Sequence, residues 1–362
     1  MQITNKIRKI LSIAITTIVS FGSGFYIAFF FFEHKNRSAD YSWIRGLQEN
    51  NALFNCCQPG RRELAFLLKG GEYLPDYKNP RTLNDKIAYI FDNYFQKSPV
   101  MLQIGNKYLA KKYVSKVVGE EHTVKLLGVW DQPNNIEWNL LPEQFVLKTI
   151  RGHCGRQVII VRDKSKIDIA KITRQLEEFC KIPFVDEFAL GGKRIIAEEY
   201  LDPQNEAKKL IDYKFFCSYG KAFLAYCCFC DREDTCDVNY KTFSLYSVPG
   251  WKRYPVTFSR HNQNLILAPK NLTKMIEIAE KLSKPFPLIR IDLYEVGDRV
   301  LVGELTEDSG GAKNILFPTK YDFEFGELFN VPTLEEIDKM IENDKKKYGN
   351  LVVGSMNSEK KK

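Results

Sequence analysis

Two short runs near residue 300 alternate apolar and charged side chains: Ile289-Arg290-Ile291-Asp292-Leu293-Tyr294 and Val302-Gly303-Glu304-Leu305-Thr306. Side chains on a strand return to one face every second residue. A hairpin with Arg290 opposite Thr306 therefore sets Asp292 opposite Glu304 on the same face. Two carboxylates so placed repel each other unless a positive charge lies between them. Mg²⁺, held by one or two carboxylates together with phosphate oxygens, would serve, and Arg290 beside them favours an anionic ligand. A solvated hairpin face with a chance acid pair has the same pattern.

Upstream lie groups that seek phosphate. Phe145-Val146-Leu147-Lys148-Thr149 is an apolar strand with one lysine, and a charged head in such a run needs an anionic partner. It leads into Arg151-Gly152-His153-Cys154-Gly155-Arg156, where glycines permit a turn whose backbone N–H groups can close over phosphate oxygens. An ordinary hairpin also carries such a Gly-x-x-Gly. Ile195-Ile196-Ala197-Glu198-Glu199-Tyr200 then ends an apolar strand in two acids, and Asp212-Tyr213-Lys214 opens another.

The rest of the chain must fold to position these groups. Its 362 residues are 44% hydrophobic and 27% charged, with 22 Gly and 15 Pro. That composition excludes disorder, collagen-like repeats and a small disulfide-stapled module. Periodicity predicts helices over 83–95, 101–118, 169–180, 272–283 and 334–347. It predicts strands over 124–129, 145–150, 158–162, 194–201, 212–218, 222–229, 288–296 and 300–306, with a Tyr- and Pro-rich loop running to Pro269. Helices mixed with hairpin-type strands predict α+β layers.

In this order the pieces resemble the ATP-grasp superfamily and, within it, the TupA-like family. The resemblance runs from about Asn79 to Leu328. It is carried by Asn79-Pro80-Arg81-Thr82-Leu83-Asn84-Asp85-Lys86, Asn106-Lys107-Tyr108, Leu127-Gly128-Val129-Trp130, Leu141 to Lys148, Ala197 to Leu201, Asp212 to Cys217, Ile278 to Leu282, Arg290 to Tyr294 and Gly303 to Thr306. It implies two α+β lobes clamping ATP, with Lys107 and Lys148 on its phosphates under a mobile loop from Gly152 through Gly155 to Arg156. Glu198 and Glu199 would face the adenine at the hinge, Asp212 the ribose, and Lys214 the phosphates. Asp292 and Glu304 would hold Mg²⁺ with Thr306 in a third position, and Arg290 would steady the reacting carboxylate. Thr306 stands where many members carry Asn, Asn106 where Asp is usual, and the loop departs from the family's His-Gly-Ser-Gly.

The resemblance also implies a reaction: a carboxylate is phosphorylated and an amine displaces the phosphate, here joining an amino acid or amine to a carboxylate-bearing sugar or surface polymer. The rival class is a single-pass glycosyltransferase in polysaccharide biosynthesis. Such enzymes often carry Asp-x-Asp, and this chain has no two aspartates separated by one residue.

The ends suggest a membrane. Ile10 to Phe32 is 23 residues without a charge, long enough to cross the roughly 30 Å hydrocarbon core as a helix. A cleaved signal peptide is the alternative. The resulting layout is a basic N-terminus (1–9), a span (10–32), a tether (33–78), the ATP-grasp domain (79–330) and a C-terminal helix with a basic tail (331–362). Lys6, Arg8 and Lys9 balance Lys35, Arg37 and Arg45, so flanking charge leaves the orientation open. ATP chemistry and nine cysteines, read as buried thiols rather than a metal site at Cys227, Cys230 and Cys236, place the domain on the cytoplasmic face. Cys56 and Cys57 could be acylated or simply packed. Of the net charge of +8, residues 1–40 supply +3 and residues 359–362 supply +2, so the body is not basic enough to suggest nucleic acid.

Overall fold

A computed structural model describes residues 61–68, 70–152, 157–181, 194–203, 209–230, 241–256 and 265–359. The expected span at 10–32, the pair Cys56 and Cys57, and the loop residues His153, Cys154, Gly155 and Arg156 lie outside them. Among the described residues no helix is long and apolar enough to cross a membrane. The chain divides into two compact units between Leu74 and Pro75. The first contains helix α1 (Arg61–Leu68), whose Phe66 ring packs 4.7 Å from that of Tyr73.

The second unit is built on two sheets. Strands β1 (Leu126–Trp130), β2 (Phe145–Thr149), β3 (Val158–Val161) and β4 (Ile195–Glu199) form an antiparallel sheet in the order β1-β4-β2-β3. Its Phe145, Leu147, Ile195 and Ala197 share a core with Ile172 and Leu176 of a helix over Ile169–Cys180. The opposite face of β2 and β4 carries Lys148 and Glu198.

Strands β5 (Asp212–Ser218), β6 (Lys221–Cys230), β7 (Lys241–Ser247), β8 (Ile289–Val296) and β9 (Arg299–Thr306) form the larger sheet, ordered β7-β6-β5-β8-β9. Its core takes in Met275, Ile278, Ala279 and Leu282 from a helix over Leu272–Ser283. It also takes in Leu83, Ile87 and Ile90 of helix α2 (Leu83–Asn93) and Ile337, Ile341 and Tyr348 of a final helix over Leu334–Glu359. That last helix, set apart at the sequence level, belongs to the same core.

The Asn79-to-Lys86 motif is structural. Thr82 caps α2 in a reciprocal box with Asp85. Asn84 Nδ2 donates to Asn314 O (2.8 Å) and to Asp322 Oδ2 (2.6 Å), and Lys86 Nζ to the carbonyls of Gly326 (2.6 Å) and Phe329 (2.5 Å). α2 thus ties down the chain that follows β9.

Three elements differ from expectation. The helix expected over 101–118 is two, α3 (Val100–Gly105) and α4 (Lys107–Val118), because Asn106 leaves helical geometry and its side chain accepts from Tyr108 N and Leu109 N. Part of the expected loop before Pro269 is strand β7. A short helix over Lys320–Gly326 lay unmarked in the sequence.

Candidate active site

The expected register of the acidic hairpin holds where it matters. Arg290 pairs with Thr306 and Asp292 with Glu304. Beyond Asp292 a bulge intervenes and Leu293 pairs with Val302, leaving Gly303 as the extra residue. A Cβ there would lie 2.5 Å from the Tyr294 ring, so only glycine admits this approach. Across β5, Lys214 pairs with Asp292. One row of the sheet therefore reads Lys214, Asp292, Glu304.

Cations neutralise these acids. Arg290 forks onto Asp292 through Nε (2.7 Å) and Nη2 (2.8 Å), while Nη1 donates to Ser309 Oγ (2.7 Å) and Nη2 also to Thr306 Oγ1 (3.0 Å). Lys214 is bound between Asp212 and Asp292. Lys107 Nζ donates to Glu304 Oε1 (3.0 Å) and to Gly152 O (3.0 Å). Burial opposes ionisation of Glu304, but Lys107, Lys214 and Arg290 outweigh it and hold the carboxyl down to about 2. Burial likewise favours loss of the Lys214 proton, yet Asp212 and Asp292 raise its pKa above the ordinary lysine value.

A second cluster lies on the smaller sheet. Glu198 is 3% exposed and bound by two lysines, Lys148 from the neighbouring strand and Lys111 from α4, the latter at 2.7 Å. Here too burial opposes the charge, and Lys148 and Lys111 overcome it, lowering Glu198 to about 2. Lys107 and Lys111 are four residues apart on one face of α4, so this helix reaches a carboxylate of each sheet. Its start is set by the Asn106 cap and by Lys107 N donating to Ile150 O (2.8 Å) at the end of β2.

The structure thus gathers Lys107, Arg290, Lys214, Asp212, Asp292, Glu304 and Thr306 in one cluster, with Lys148 and Glu198 in the other. Asp212, expected at a ribose, engages Lys214. Glu199, expected beside Glu198, points elsewhere and accepts from Arg299 Nη2 (2.7 Å) and Lys125 N (3.0 Å). Gly152 is closely approached: a Cβ would meet Gln157 Oε1 at 2.9 Å and Thr149 Oγ1 at 3.0 Å. Sequence reasoning missed Lys111, Ser309 and the buried pair Arg151 and Glu307. Only the four-residue spacing from Lys107 hinted at the first.

Among the described residues no group of three or more His, Cys, Asp or Glu side chains is placed to hold a metal. Two carboxylates on adjacent strands at one register are nonetheless a hard-oxygen donor set that fits Mg²⁺ bound together with phosphate. Thr306 Oγ1 lies in the same cluster, accepting from Arg290. Cys227 and Cys228 are both buried, and burial pushes the Cys227 pKa well up. The side chains of Cys230 and Cys236, named with Cys227 in the alternative metal site, lie outside the described residues.

The family model described as TupA-like ATPgrasp matches residues 86–330. The chain belongs to the TupA-like ATP-grasp family. No curated protein matches it. Among solved structures, this TupA-like chain is similar to the D-alanine–D-alanine ligase of Bacillus anthracis, at 12% identity and a TM-score of 0.39, over 71% of this chain and 69% of that one. It is also similar to the N5-carboxyaminoimidazole synthetase of Staphylococcus aureus complexed with ADP, at 12% identity and a TM-score of 0.34. That match covers 57% of this chain and 45% of the synthetase, so the chain spans less than half of its length.

Proposed function

We propose that the protein is an ATP-dependent carboxylate-amine ligase that uses Mg²⁺. The observation that carries this reading is the row of Lys214, Asp292 and Glu304 flanked by Arg290 and Lys107, in a chain of the TupA-like ATP-grasp family. Asp292 and Glu304 would hold Mg²⁺, whose charge would offset that of the β- and γ-phosphates when bound. Lys107, Lys148 and Lys214 would bind and orient the phosphates.

In the first step a substrate carboxylate oxygen, steadied by Arg290, attacks the γ-phosphorus and ADP leaves. In the second an amine nitrogen attacks the carbonyl carbon of the acyl phosphate, inorganic phosphate departs with the bridging oxygen, and the nitrogen gives up a proton. The enzyme supplies alignment and fixed charge, and no protein nucleophile takes part.

The acceptor in this reading is a carboxylate-bearing sugar or polymer of the cell surface and the donor an amino acid or amine. The 23 uncharged residues from Ile10 to Phe32 support a single membrane anchor, and the need for ATP supports a cytoplasmic catalytic domain. Full-length protein incubated with ATP, Mg²⁺, surface-polymer precursors and amino acids should release ADP only when both co-substrates are present, with an amide mass increment on the polymer. ADP release indifferent to the amine would contradict ligation. A reporter fused after Lys362 should be active only on the cytoplasmic side.

A further inference from the structure

Glu198 has two cationic partners where one would satisfy it. Lys148 reaches it diagonally across the sheet, from β2 to β4, and Lys111 comes from α4. Lys111 is held at two points: its Nζ donates to Val124 O at 2.7 Å and to Glu198 Oε1 at 2.7 Å. Lys148 has the reach to turn from Glu198 toward an anion on the same face of β2. If Glu198 had no other partner, that turn would strand a buried carboxylate, a cost that would be charged against every binding event.

We propose that Lys111 is the standing counter-ion of Glu198, a positioning residue that lets Lys148 exchange its carboxylate for nucleotide phosphate. With Lys111 in place, Glu198 stays neutralised whichever partner Lys148 holds. Lys111 itself never touches the nucleotide. The assignment rests on the ATP reading and adds to it a residue that acts through Lys148.

The test is a cycle of variants of the full-length protein titrated with ADP and Mg²⁺. Lys111→Met leaves Lys148 as the sole cation on Glu198 among the described residues, and affinity should fall about tenfold. Adding Glu198→Gln removes the competing charge, so the double variant should bind at least threefold more tightly than Lys111→Met alone. A purely structural Lys111 would give no such recovery, because the second substitution removes a further buried contact. Unchanged affinity in Lys111→Met, or a double variant no better than the single, overturns the assignment while leaving the ATP reading intact. A wild-type protein that binds no nucleotide overturns both.

Acylation of lysines in the wild-type protein, read by mass spectrometry, gives an answer even if Lys111→Met fails to fold. Lys148 should be protected by MgADP, whereas Lys111 should react equally slowly with and without it. Nucleotide-dependent protection of Lys111 would make it a phosphate ligand and overturn the proposal.

Discussion

At the scale of residues, the site is a set of charges that neutralise one another. Glu198 and Glu304 are each held down to about 2, against an ordinary glutamate value of 4.5. A carboxyl whose pKa is depressed by folding contributes stability above its unfolded pKa and loses it as pH falls through the folded one. The unfolding free energy should therefore drop between about pH 4.5 and pH 2, by an amount of order 3 kcal/mol for Glu198 alone. Denaturant titrations across that window should show a shallower drop for Glu198→Gln than for wild type. The acids were legible in the sequence because each stands out in or at the end of an apolar strand. Lys111 was not, since a lysine on an amphipathic helix has no mark distinguishing a buried ion pair from a solvated face.

At the scale of elements, the site depends on where α4 starts. Asn106 is 2% exposed and its Oδ1 accepts from two backbone N–H groups, which places Lys107 at the first turn, against β9. Asn106→Ala should cost about 1 kcal/mol of stability and weaken nucleotide binding, as measured by urea unfolding and by titration with MgADP. Apolar spacing predicted one continuous helix here because periodicity runs through the break undisturbed, and only the capping chemistry of Asn106 interrupts it. Strand β7 was hidden for another reason: it stands at the end of the strand order, beside β6, and its neighbours in sequence carry loop-like composition. The hairpin register supposed from the sequence, in contrast, holds as far as Asp292 and fails after it because nothing but Gly303 announces the bulge.

At the scale of the whole molecule, the larger sheet is braced by helices from both ends of the second unit. Asp344 of the final helix accepts from Tyr94 Oη (2.7 Å) and Ser98 Oγ (2.6 Å), joining the C-terminal segment to the turn after α2. Asp344→Ala strips both bonds and should lower stability by about 2 kcal/mol, read as a lower midpoint in denaturant with unchanged slope. The two lobes came through in the sequence as a family pattern, whereas the strand order did not, since no spacing rule says that β5 lies between β6 and β8.

The most direct test of nucleotide chemistry at the carboxylate row is calorimetric titration of the full-length protein with ATP. Binding should require Mg²⁺ for full affinity and should be lost at least tenfold in Asp292→Asn with Glu304→Gln, while a nucleotide-sugar gives no heat. Binding of the nucleotide-sugar in place of ATP, or ATP affinity untouched by loss of both carboxylates, would contradict it.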